Sequence, residues 1–255
     1  MGDVAAGKTS LIRLLSTGQP VTKTPGPTVG CDLEVMLYTY CPEPPKELAT
    51  QSLLSFESRY IEKSRREPKD YFIEFLEIGA THTHVISRRM FYHDYNGVIL
   101  LYDLSSARSC HRLQFWRQEL ASYTYERTDG GFETMYGRAP EGVTVGDERK
   151  LLPTRKIPVL IVGTKTDLPS HVRSEHRVWV DKAIDDYRAS EIRLSCLDAT
   201  DLTPESAKLK TLHAFFDKVI EAKFPNAASV GSALPSSPEM RTRSSSRFKI
   251  PAFMS

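Results

Sequence analysis

The chain has 255 residues, 40% of them hydrophobic and 26% charged, which suits one large globular domain or one medium domain with extensions. Its formal net charge of +2 gives no electrostatic reason to expect a nucleic acid as partner. No apolar run reads as a membrane span or signal peptide, and the scattered Cys31, Cys41, Cys110 and Cys196 form no C-x-x-C pair, a pattern that suits a reducing cytoplasm.

The first element is Gly2-Asp3-Val4-Ala5-Ala6-Gly7-Lys8-Thr9, which fits the phosphate-binding pattern G-x-x-x-x-G-K-[ST]. Glycines let the backbone curl so that successive N–H groups, through Ser10, face phosphate oxygens. Lys8 is expected to reach the β- and γ-phosphates, and the Thr9 hydroxyl to take a position on Mg²⁺. Leu11, Leu14 and Leu15 fall at helical spacing and Gly18 ends the run. The helix N-terminus then faces the phosphates with its partial positive charge. Ala6 stands where N-myristoylation asks for Ser or Thr, so Gly2 is better used by the loop. The strand that should deliver the loop is missing, because Met1 takes its last place; a truncated or spliced form is expected on that ground, with poor nucleotide affinity if the chain starts here.

A loop from Gly18 to Val29 leads to a strand in which Leu33, Val35 and Leu37 alternate with Asp32 and Glu34, predicting a buried and a wetter face. Residues from about 40 to 70 carry four prolines and the charge run Glu62–Glu67, and read as a surface insertion with a short helix around Ser52 to Tyr60. Tyr71–Ile78 reads as a second strand. Gly97–Asp103 is a continuous apolar run, the mark of a strand buried on both faces of a parallel sheet. Leu113, Trp116 and Leu120 carry a helix, and about 123–156 is a second insertion. Pro158–Gly163 is another buried strand, Trp179–Tyr187 a helix and Ile192–Ser195 a last short strand. Pro204–Phe224 is a helix with Leu209, Leu212, Phe216, Val219 and Ile220 on one stripe. Residues 225–255 are Ser-, Pro- and Arg-rich and read as a disordered tail. Strands alternating with helices predict a doubly wound α/β fold, a mostly parallel sheet flanked by helices.

Three further stretches carry chemistry. Pro27-Thr28-Val29-Gly30 offers a threonine that binds Mg²⁺ and the γ-phosphate in a nucleotide switch, though such a threonine is equally an ordinary loop residue. Gly163-Thr164-Lys165-Thr166-Asp167 follows a buried strand. A carboxylate at Asp167 accepts hydrogen bonds from two edge N–H groups of guanine that adenine lacks, and the Lys165 stem can lie along the base. Backbone N–H groups of Ser195-Cys196-Leu197 can meet the guanine oxygen.

Together these stretches resemble the Ras-like small GTPases, with Gly97–Leu104 and Phe215–Glu221 adding to the likeness over roughly residues 1–224. Thr164, where most members have Asn, and the insertion before the strand at Ile157–Gly163 point to a Rab-like branch. The resemblance implies a P-loop NTPase domain over 1–224, GTP or GDP and Mg²⁺ as cofactors, and a cytoplasmic GTP/GDP switch. It also implies protein effectors or regulators as partners, with a homodimer among the arrangements.

The family pattern Asp-x-x-Gly-Gln reads here Glu77-Ile78-Gly79-Ala80-Thr81. Glu77 keeps the charge that holds Mg²⁺ through water but is one methylene longer. Ala80 keeps the N–H that meets the γ-phosphate and loses glycine's torsional freedom. Thr81, the catalytic position, stands where glutamine orients the attacking water. Binding with slow or partner-dependent hydrolysis is expected; the alternative is a pseudo-GTPase scaffold with little or no turnover. A P-loop ATPase or kinase is disfavoured by Lys165-x-Asp167. His82 and His84 read as loop residues, and Arg88 and Arg89 as a solvated or salt-bridged helix face. With no cysteine after Cys196 there is no prenyl anchor, and Arg241, Arg243 and Arg247 give weak membrane attraction at most.

Overall fold

The computed structural model describes residues 1–41, 68–81, 88, 91–92, 95–123, 157–225 and 227. In chain order these form α1 (Lys8–Thr17), β1 (Cys31–Tyr40), β2 (Lys69–Ile78), β3 (Val98–Asp103), α2 (Ala107–Tyr123), β4 (Val159–Thr164), α3 (Ser174–Tyr187) and β5 (Ser190–Arg193). A 3₁₀ turn at Thr200–Leu202 and α4 (Ala207–Lys223) complete the order. The interiors of both insertions, the helix expected around Ser52 to Tyr60, His82, His84, Arg89 and the tail beyond 227 lie outside the described residues.

β1 and β2 pair antiparallel along their full length, from Cys31 opposite Ile78 to Tyr40 opposite Lys69. β3, β4 and β5 form a parallel sheet in that order, as α/β crossovers require. Among the described residues no ladder joins the two sheets. Where that strand was expected, Met1 and Gly2 lie beside β3. Leu101 N–H donates to the Met1 carbonyl at 2.8 Å, and the Met1 amine donates to the Ile99 carbonyl at 2.7 Å, so Met1–Gly2 runs parallel to β3. A Cβ on Gly2 would stand 2.6 Å from the Leu101 carbonyl oxygen, which is why only glycine fits there.

β3 and β4 are buried on both faces, in line with their unbroken apolar runs. β1 corrects the sequence reading. Leu33, Val35 and Leu37 are exposed, beside Phe72 and Leu76 of β2, whereas Tyr38, Tyr40 and Phe75 face the core. The strand is apolar on both sides over much of its length, so alternation alone did not say which side is inward. Longer-range contacts decide it. Ser16 of α1 donates to Glu34 at 3.2 Å, Tyr38 donates to Asp217 of α4 at 2.7 Å and Tyr40 to Glu221 at 2.9 Å.

Leu212, Phe215, Phe216 and Ile220 of α4 fill one core with Leu11 and Leu14 of α1. Each such buried side chain contributes roughly 1.5–3 kcal/mol. Leu113, Trp116 and Leu120 of α2 fill the other with Val180 and Ala183 of α3. α3 begins ahead of the expected Trp179 because its first turn is polar and carries no periodic signal. Arg177 clamps it to β5, with Nη1 2.6 Å from Glu191 Oε1, and Tyr102 of β3 donates to the same oxygen at 2.5 Å. No described helix is long and apolar enough to cross a membrane.

Candidate functional site

The phosphate loop runs from the carboxyl end of the Met1–Gly2 stub into α1. Ala5 and Gly7 take left-handed φ values of 58° and 84°, so the loop curls back on itself before the helix. Val4 stands exposed on its lip and Asp3 pairs with Arg112 of α2 at 3.0 Å. Lys8 is buried, and its ammonium donates across the loop to the Asp3 carbonyl at 3.0 Å. Burial pulls its pKa down, with Arg88 adding to the effect and Glu77 and Asp3 opposing it. A cation so enclosed gains most from an anion brought beside it. Ser10 follows in the first turn of α1.

Next to Lys8, three oxygens from separate parts of the chain converge. Thr9 Oγ1 donates to Glu77 Oε1 at 2.8 Å, Thr28 Oγ1 donates to the same Oε1 at 3.0 Å, and the hydroxyls lie 3.4 Å apart. Glu77 is only 5% exposed. Two hydroxyls and a carboxylate are hard donors of the kind Mg²⁺ selects, so the residues present fit that metal. Gly79 N–H donates to the Gly30 carbonyl at 2.8 Å, and a Cβ on Gly79 would lie 2.7 Å from the Thr28 carbonyl oxygen. The loop carrying Thr28 is thus seated on Gly79. Ala80 is buried against β3 and α2, with Thr81 following it.

The other end of the site lies where β4 and β5 finish. Thr164 is wholly buried; its hydroxyl donates to the Ala6 carbonyl at 2.8 Å and lies 3.1 Å from the Tyr102 carbonyl. One hydroxyl proton is shared between two backbone oxygens, so Thr164 braces the phosphate loop and has no donor left for a base. Lys165 takes φ 62°, and its ammonium donates to Asp103 at 2.7 Å. Burial would raise the Asp103 carboxyl; the bonds from Lys165 and Ser105 outweigh it and hold it below its usual range. Asp167 is exposed at the rim and accepts from Ser195 Oγ at 2.5 Å. Of the backbone N–H groups at Ser195, Cys196 and Leu197, the first donates to Asp201 and the third to Ser195 Oγ. The Cys196 N–H has no partner among the described residues. Burial pushes the Cys196 thiol up to about 12, so its side chain offers no nucleophile here.

Arg88 is buried, paired with Glu119 at 3.1 Å and stacked 4.8 Å from the Trp116 ring centre, so it is salt-bridged as expected but not solvated. Sequence reasoning missed Asp103, which anchors Lys165, and the seat at Gly79. The signal for Asp103 was its place as the charged last residue of the run Gly97–Asp103, at the carboxyl end of a strand, where α/β sites gather.

A phosphate loop leading into α1, a threonine–carboxylate cluster beside it from the β1–β2 side, and an acidic residue past the carboxyl end of a parallel strand together define the class of Ras-like small GTPases. No protein-family model matches the chain. It is 32% identical over 232 residues to Rab-like protein 3 of Xenopus tropicalis, covering 88% of this chain and 84% of that protein. It is 30% identical over 233 residues to Rab-like protein 3 of Homo sapiens, and 29% over 191 residues to small GTPase LIP1 of Arabidopsis thaliana. The last match covers 71% of this chain and 47% of that protein. The chain belongs to the Rab-like protein 3 family of Ras-like small GTPases.

Proposed function

We propose that the chain is a guanine-nucleotide switch whose hydrolysis of GTP is slow or depends on a partner. The observation that carries the reading is the meeting of Thr9, Thr28 and Glu77 oxygens beside Lys8, at the mouth of a loop braced by Thr164. The backbone from Gly2 to Ser10 and the Lys8 ammonium hold the phosphates, while the two hydroxyls and Glu77 hold Mg²⁺. Bound Mg²⁺ neutralises charge on the β- and γ-phosphates. Asp167 selects guanine, the Cys196 N–H meets its oxygen, and Lys165 is positioned by Asp103. Thr28 senses the γ-phosphate, and the Ala80 N–H faces it from the other side. At Thr81, in the water-orienting position, a hydroxyl stands in place of an amide side chain. The domain spans residues 1–224 and acts in the cytoplasm through protein effectors or regulators.

A second reading, a scaffold with little turnover, is favoured by the exposed apolar face of Leu33, Val35, Leu37, Phe72 and Leu76, which a partner can cover. Fluorescent GDP and GTP, competed with ATP, test the main reading. Guanine-selective binding that is lost in Lys8→Ala supports it, and absence of binding to the folded chain overturns it. Single-turnover phosphate release no faster than that of Lys8→Ala would leave the scaffold reading.

A further inference from the structure

Two edges of the oxygen triangle at Thr9, Thr28 and Glu77 match those of one face of a metal octahedron, and the third, between the hydroxyls, is longer. Mg²⁺ demands near-ideal octahedral geometry at about 2.0–2.1 Å, which places neighbouring ligand atoms about 2.9 Å from one another. The edges here are 2.8, 3.0 and 3.4 Å. We infer that Glu77 binds the metal directly through Oε1, in place of a water, so that Thr9, Thr28 and Glu77 occupy three mutually adjacent positions. This rests on the nucleotide reading above and replaces the water that the family pattern implies between Glu77 and the metal with a direct bond.

The chemistry turns on one methylene. An aspartate on the same backbone would draw its carboxylate back by about 1.5 Å, one C–C bond, which leaves room for a bridging water. Glu77 fills that room. It projects from the last but one pair of the β1–β2 ladder, opposite Asp32, and it is buried, so its reach is fixed by the strand rather than by a free rotor. Both threonine hydroxyls already donate to Oε1; turning those protons outward presents all three oxygens to a cation without moving them. Two phosphate oxygens then leave one position for water in the six-coordinate shell.

Mn²⁺ loaded with a non-hydrolysable GTP analogue tests this in the full chain. Broadening of the Mn²⁺ electron paramagnetic resonance lines in ¹⁷O-enriched water counts the waters bound to the metal. The wild-type complex is expected to hold one water, and Glu77→Asp, checked for folding by circular dichroism, one more. Equal counts in the two proteins, or two waters in the wild type, overturn direct ligation and leave guanine binding intact. Should Glu77→Asp not fold, the wild-type count alone decides between one water and two. Failure of the wild type to form any Mn²⁺–nucleotide complex overturns both this inference and the switch.

Discussion

At the scale of single residues the site separates into contacts with different readouts. Asp167→Asn removes one end of the bond from Ser195 and, on the switch reading proposed above, a charged acceptor for the guanine edge. It should reduce the preference for GTP over ATP by about 10- to 100-fold, the worth of a charged hydrogen bond, in a competition titration. Gly79→Ala acts elsewhere, because its Cβ would push on the Thr28 carbonyl from 2.7 Å. Magnesium-dependent affinity for the triphosphate should fall while guanine selectivity persists, and the GDP and GTP affinities measured with and without Mg²⁺ separate the two effects. Asp103→Ala frees the Lys165 ammonium and should weaken binding of GDP and GTP alike, a loss of base affinity that fluorescent-nucleotide titration reads.

Among the elements, α3, β3 and β5 meet at one carboxylate. Burial would raise Glu191, but bonds from Arg177, Tyr102 and Arg193 bring it down to about 2, against its ordinary 4.5. A carboxyl depressed on folding stabilises the protein above the unfolded value, and that stability is lost as pH falls from about 4.5 toward 2. Arg177→Ala should cost roughly 2 kcal/mol in urea unfolding at neutral pH, between the exposed and the buried cases. It should also flatten the acid limb of the stability profile. Elements with a strong local signal were legible in the sequence: the loop after Gly2, the unbroken apolar strands at 98–103 and 159–164, and the α4 stripe. What stayed hidden depends on partners distant in sequence. The inward face of β1 is decided by α1 and α4, the polar start of α3 by Glu191, and the anchoring of Lys165 by a carboxylate 62 residues away.

For the whole molecule, the enclosed amine of Met1 leaves a mark on stability. Burial pushes it down to about 5 from 8.0, with Lys8 adding to the fall and Glu77 opposing it. Between those values the unfolded chain holds a proton that the folded one does not, so stability rises with pH from about 5 to 8. Urea midpoints of the chain with a free Met1 amine should follow that slope. Acetylation of Met1 keeps an N–H for the Ile99 carbonyl and should abolish it. The division into two sheets has a mechanical consequence. Thr28 and Glu77 belong to the hairpin side, Lys8 and Asp167 to the side of the parallel sheet, and no strand ladder crosses between them among the described residues. The halves are stapled by helices, through Tyr38 and Tyr40 on α4 and the Phe75–Phe216 contact. A nucleotide with its cation would then work as a rivet across the join. Without it, the β1–β2 amides should exchange with deuterium through a partial opening that spares β3 and β4; with it, both halves should open only together.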